Sequence, residues 1–193
     1  MKIRLLKHLF AADLLLVGSY GLLLPIFALF LTERLPGVGI ESVASAAAVW
    51  LFSYALFDWI FNSYMHHGDS ERRAYGGLIA GTLVSALVPL AYLYAKDMSA
   101  VYAAQLALGF GLGLSKPSWS HIMRGTIDEK HRRTIGKMRQ FTNTMIMASA
   151  AALGGLLAAR YGFDRLLIMM TGLGLCASAI VILGAFAPKD TNK

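Results

Sequence analysis

The stretch GFGLGLSKPSW, residues 109–119, opens as an apolar, glycine-rich run and then meets a lysine and a proline. An apolar run of this kind inside a segment of about 20 residues reads as a membrane-crossing helix. Lys116 is then either the point where that helix leaves the lipid or a charge held inside it. The glycines do not read as a phosphate-binding loop, because no strand precedes them and they lie within an apolar span.

The rest of the chain agrees with the membrane reading. Of its 193 residues, 56% are hydrophobic and 15% charged, against about 25% charged in a typical soluble domain. Mean hydropathy is +0.56. The lone Cys176 excludes a disulfide framework and a cysteine-based metal site. The basic start, MKIRLLKHLF, leads into an apolar segment too long for a signal peptide and without a small-residue cleavage site, so it is expected to be a retained first span.

Six spans are expected in a single 1–193 domain, at about 9–32, 41–65, 74–95, 99–121, 136–159 and 164–187. ERLPGVG, HHGDSERR, AKDMS, RGTIDEKHRR and ARYGFDR separate them. Basic residues of short loops mark the cytoplasmic side. Fourteen lysines and arginines fall on the side of the termini and four (Arg34, Lys96, Arg160 and Arg165) on the other. Both termini are expected in the cytoplasm, and the protein in the cytoplasmic (plasma) membrane. The charge of +7 is thereby accounted for without a nucleic-acid partner, and it would attract anionic lipid.

Small residues allow helices to approach closely in lipid. Gly77, Gly81 and Ser85 offer such a stripe in the third span, and Gly109 and Gly113 in the fourth. The fifth has Ala148 to Ala152 and Gly154-Gly155, and the sixth Gly172 and Gly174. Pro25 and Pro89 are expected to kink the first and third spans.

Gly109, Gly111, Gly113 and Pro117, followed by Asp128, Arg132 and Gly136, then Gly154-Gly155 and Tyr161-Gly162-Phe163, form an ordered series. The series resembles the second half of the N-terminal six-helix domain of the major facilitator superfamily. Pro25 also sits where the first helix of such transporters often has a proline. The resemblance covers the whole chain in hydropathy, with its residue matches concentrated in 105–165. It departs in the second loop, NSYMHHGDSERR, where Asn62 replaces a glycine and His66 an aspartate. Gln105 stands in place of the fourth helix's arginine, and Ala150-Ala151 in place of an antiporter Gly-Pro.

The resemblance implies a half major-facilitator fold with a 3+3 inverted repeat, in a family whose members have twelve helices. It implies a small-solute transporter working by alternating access, as a homodimer or with a second six-helix half. The alternative is a non-transporting membrane scaffold or accessory subunit that retains the half fold. In the family, helices one and four line the path and helices two and five meet the opposite half. Lys116, Gln105, Asp13 and Ser115 are therefore expected on a substrate or ion pathway. Asp58, with Tyr54 and Asn62 on its helical stripe, and Arg139, with Asn143 at i+4, are expected at a gate or interface. There, Asp58 and Arg139 of opposite chains would pair.

Each has a plainer reading. Asp13 suits the positive end of a helix dipole. Lys116 lies roughly 22–26 Å along its helix, at about 1.5 Å per residue, close enough to the inner face for its stem to snorkel to water. Asp58 could pair within its own chain, with Lys116. His66, His67, Asp69 and Glu71 lack metal-site spacing, so neither metal nor cofactor is expected. No enzyme is expected either, because Asp13 and Asp58 are the only carboxylates placed in spans and sit on separate helices.

Overall fold

The computed structural model describes residues 2–66 and 71–186. The expected loop residues His67 to Asp69 and the basic tail, Lys189 and Lys193, lie outside them, as does the side chain of His66. All regular structure among the described residues is helical: α1 Lys2–Leu23, α2 Phe27–Arg34, α3 Ile40–His66, α4 Glu71–Tyr94, α5 Met98–Thr126 and α6 Glu129–Phe186. A single 3-10 turn, Leu24–Ile26, joins α1 to α2. Five helical stretches are long and apolar enough to cross a membrane: Leu6–Arg34, Ile40–Met65, Glu71–Tyr94, Met98–Thr126 and Glu129–Phe186.

The breaks follow from the backbone. Proline has no N–H to donate into a helix, and the 3-10 turn forms at Pro25, within the first stretch. Pro89 and Pro117, by contrast, lie inside α4 and α5 without interrupting either helix. Pro89 is fully buried in the packed interior. Gly37 and Gly162 turn the chain with φ of 83° and 81°, a region that side chains with a Cβ rarely enter. Asp97 caps α5 by accepting from the Ala100 N–H at 2.9 Å and the Ser99 hydroxyl at 2.6 Å. These bonds, first that of Ser99 and then that of Ala100, hold its carboxyl below the usual carboxylate range.

Contacts between helices fix their directions. Asp13, Gly18 and Gly21 of α1 meet Arg139, Ile146 and Ala150 in the same order, so residues 129–161 run parallel to α1. Beyond Gly162 the order reverses. Phe163 packs on Phe30 with ring centroids 5.4 Å apart, and the Met170 carbonyl accepts from Ser19 at 2.9 Å. The 58 residues of α6 are thus two arms joined at the non-helical Gly162. Ser53 and Phe57 of α3 meet Gly109 and Gly113 in parallel order, while Gly77 and Gly81 of α4 meet Ser118 and Ser115 in antiparallel order.

Small residues make these contacts possible. A Cβ on Gly154 would fall 1.8 Å from the Leu22 carbonyl oxygen, and one on Gly109 would fall 1.9 Å from Ser53 Oγ. Gly81 and Gly111 likewise let α4 and α5 approach closely, and Gly174 packs on Ala86. Two of the expected contact glycines do not take part: Gly155 and Gly172 face open space. Each lies one or two residues from a glycine that is in contact, and so on a different face of its helix.

Two apolar clusters tie the bundle together. One, around Phe30, Leu31, Tyr92, Val101 and Leu167, sits at the end carrying the Gly37 and Gly162 turns. There Arg34 ion-pairs with Asp164 at 2.7 Å and also donates to the Leu93 carbonyl. The other, around Leu9, Ala74, Leu78, Trp119 and Ala177, sits at the end where α1 begins. In α3 only 11% of the apolar window is buried, and Phe52, Leu56 and Trp59 stand exposed along it.

Candidate functional site

A cavity of about 380 Å³ opens in the half of the bundle nearer the start of α1. Its walls come mainly from α1 (Asp13, Val17, Tyr20) and α5 (Leu112, Ser115, Lys116, Trp119). Trp50 and Tyr54 of α3, Thr82 of α4, and Arg139 and Val181 from the two arms of α6 complete it. The charged residues of the lining are two cations, Lys116 and Arg139, and one anion, Asp13.

The parallel register of α1 and the 129–161 arm delivers Arg139 to Asp13. The guanidinium donates Nε to Oδ2 at 2.7 Å and an η nitrogen to Oδ1 at 2.6 Å. Asn143, one turn on, donates to Oδ2 at 2.8 Å. Both carboxylate oxygens are thus engaged, in the bidentate form that gives such pairs their strength. Trp119 stacks beneath the guanidinium, 3.8 Å from ring centroid to Cζ, a cation–π arrangement. The Asp13 side chain is 11% exposed and that of Arg139 24%.

Lys116 is held far more loosely. Its ammonium donates to the Tyr54 hydroxyl and lies 5.0 Å from the centroid of that ring. Its nearest carboxylate oxygen, Asp58 Oδ1, is 4.0 Å away. About half of the lysine side chain is exposed. The α3 stripe of Tyr54 and Asp58, four residues apart, is what brings both groups to Lys116.

Lys116, Asp13 and Ser115, expected on a pathway, line the cavity together, and so do Tyr54 and Arg139, expected at a gate. Ser115 spends its hydroxyl on the Leu112 carbonyl at 3.3 Å. Gln105 lies outside this lining. It is 4% exposed, and its Oε1 has no hydrogen-bond partner in the protein. Asn62 is exposed on α3, and Asn143 serves Asp13. Asp58 and Arg139 each face a partner within the chain, Lys116 and Asp13 respectively. Any pairing between them across two chains would first have to open these contacts. Among the described residues no cluster of three or more metal-ligating side chains occurs.

Trp119 stands out in the sequence as a neighbour of Lys116, whereas Trp50 does not. Trp50 and Trp119 both line the cavity, and both indole N–H groups are buried without a partner in the protein. A signal for the relation between α1 and α5 was also present. GLLLP at 21–25 and GLSKP at 113–117 place a Gly-x-x-x-Pro in the first and fourth expected spans, which aligns the two helices on that motif. In that alignment Asp13 corresponds to Gln105 and Leu24 to Lys116.

No family model matches this chain, and no curated protein matches it.

Proposed function

We propose that the chain is a six-helix half of a major-facilitator-type carrier that moves a small solute by alternating access. The two arms of α6 count as separate crossings in this reading, because the chain reverses at Gly162. Both termini then face the cytoplasm, as the fourteen-to-four charge asymmetry favours. The protein resides in the cytoplasmic membrane.

The observation that carries the proposal is a symmetry of contacts. Number the crossings one to six: α1–α2, α3, α4, α5, and the two arms of α6. The most extensive packed pairs are one with five, one with six, two with four, three with four, and three with six. Exchanging one with four, two with five and three with six returns the same set of pairs. That invariance, together with the Gly-x-x-x-Pro motif common to crossings one and four, supports a 3+3 inverted repeat. Its two equivalent proline-bearing crossings, one and four, are the principal walls of the cavity.

A carrier needs a route that such a unit only half encloses. A second six-helix unit, a further copy or another half, would cover the cavity-bearing face, and closed two-fold assembly is the commonest oligomer. In this reading the Asp13–Arg139 and Asp58–Lys116 pairs act as the inner gate. No catalytic role is assigned to any residue.

Uptake into proteoliposomes tests the reading. A panel of radiolabelled small solutes should yield at least one whose accumulation needs the protein and falls at least tenfold in Lys116→Gln. If no solute is taken up, the reading passes to a non-transporting scaffold, whose static bundle the tight Asp13–Arg139 pair would equally well serve.

A further inference from the structure

We propose that the cavity binds a small organic anion, with its carboxylate on Lys116 and Tyr54 and its apolar body among Tyr20, Trp50 and Trp119. This names a substrate class for the carrier proposed above and rests on that reading for its role in transport.

Asp13 has both oxygens engaged by Arg139 and Asn143, so the cavity's one carboxylate has little left to offer a cation. Ser115 and Thr82 spend their hydroxyl protons on their own helices. Lys116 has three donors, of which one is used on Tyr54. A hydroxyl that accepts from the lysine keeps its own proton to donate. The Tyr20 hydroxyl, without a protein partner, can donate as well as accept, whereas the indole N–H groups of Trp50 and Trp119 are themselves buried with almost no accessible surface. The orphaned acceptors Gln105 Oε1 and Asn143 Oδ1 belong to residues outside the lining. The free charge-bearing capacity of the lining is thus that of a donor, the Lys116 ammonium, with the Tyr54 hydroxyl beside it.

Charge points the same way. Arg139 is neutralised by its bidentate partner, whereas Lys116 stands 4.0 Å from Asp58 with the Tyr54 hydroxyl closer. An incoming carboxylate would therefore compete with Asp58 for Lys116. Release of the ligand would return the lysine to Asp58.

The test uses three probes of similar shape and different charge: benzoate, neutral benzamide and cationic benzamidine. Each is titrated into the purified protein in nanodiscs, with tryptophan fluorescence and thermal stability as readouts. Benzoate should bind about tenfold or more tightly than benzamide, as expected for a charge-assisted hydrogen bond. Lys116→Gln should abolish that preference and Lys116→Arg should keep most of it. Asp58→Asn should tighten benzoate severalfold by removing its competitor. Preference for benzamidine, absence of binding by all three, or an unchanged benzoate affinity in Lys116→Gln overturns the proposal. Benzoate binding without uptake of any solute would overturn the carrier and leave the anion site standing. Uptake of a cation alone would do the opposite.

Discussion

Arg139 grips Asp13 with two hydrogen bonds, of 2.7 and 2.6 Å, across 126 residues of sequence. The pair staples the middle of α1 to the first arm of α6 on the cavity wall. Because α1 begins at Lys2, Asp13 lies about three turns in, beyond the helix-dipole placement expected for it. Removing one member of a buried ion pair strands the other and costs about 3–5 kcal/mol. Asp13→Ala is expected to lose about 3 kcal/mol, measured by denaturant titration in detergent. The exchange Asp13→Arg with Arg139→Asp should recover part of the loss. If Asp58→Arg with Arg139→Asp recovers more, the pair belongs across two chains instead.

The glycine contacts make a sharper pair of predictions. Gly154→Val should disrupt the packing of α6 on α1, because the first side-chain carbon already meets the Leu22 backbone. Gly155→Val should be tolerated within about 0.5 kcal/mol, as expected for a position away from packed contacts. Thermal melts of the two variants should differ by many degrees. Equal melting temperatures would refute the register assigned to this contact.

These residues also mark what was legible in the sequence. Helix positions followed from apolar runs and from the Gly37, Asp97 and Gly162 breaks, because those signals are local. Helix ends did not, since α1 starts at Lys2, α5 runs to Thr126 and α6 starts at Glu129, polar residues that continue a helix without apolar periodicity. The proximity of Tyr54, Asp58 and Lys116 was half legible: the i+4 stripe belongs to one helix, but its meeting with Lys116 depends on Ser53 and Phe57 seating on Gly109 and Gly113. The Asp13–Arg139 pair was not legible at all, because nothing local sets the register of two helices so far apart in sequence. Which of Gly154 and Gly155 packs was equally hidden, since adjacent helical residues face different directions.

The reversal at Gly162 has a topological consequence. In otherwise cysteine-free protein, reached with Cys176→Ser, a cysteine replacing Asp128 should react with an impermeant reagent from one side of the membrane. Cysteines replacing Gly37 and Tyr161 should react from the other. Labelling of all three from the same side would remove the alternating crossings.

Asp97 carries the pH dependence of the α5 cap. Its carboxyl ionises below its ordinary value of 3.8 because Ser99 and Ala100 bond to the charged form. The sign follows from linkage: the cap's contribution is complete above that ordinary value and fades as pH falls through the lower, folded one. Stability of the wild type should thus fall more steeply with acid than that of Asp97→Asn. The difference should be small, because the group is exposed. Parallel acid titrations monitored by circular dichroism would check it.

A covered cavity face implies more than one unit per particle. Native mass measurement in lipid should give a species of twice 20.9 kDa when the chain is purified alone as a homodimer. A uniformly single-copy particle would leave only a different half as its partner.

The account depends most on water and solute reaching the cavity from the side of the termini. In a Cys176→Ser background, Val17→Cys lies on the cavity wall, whereas Leu183→Cys lies on an exposed apolar face away from it. With an impermeant thiol reagent applied from the side of the termini, Val17→Cys should label rapidly and Leu183→Cys should not. Silence at Val17→Cys in folded protein, from that side, would contradict the account directly.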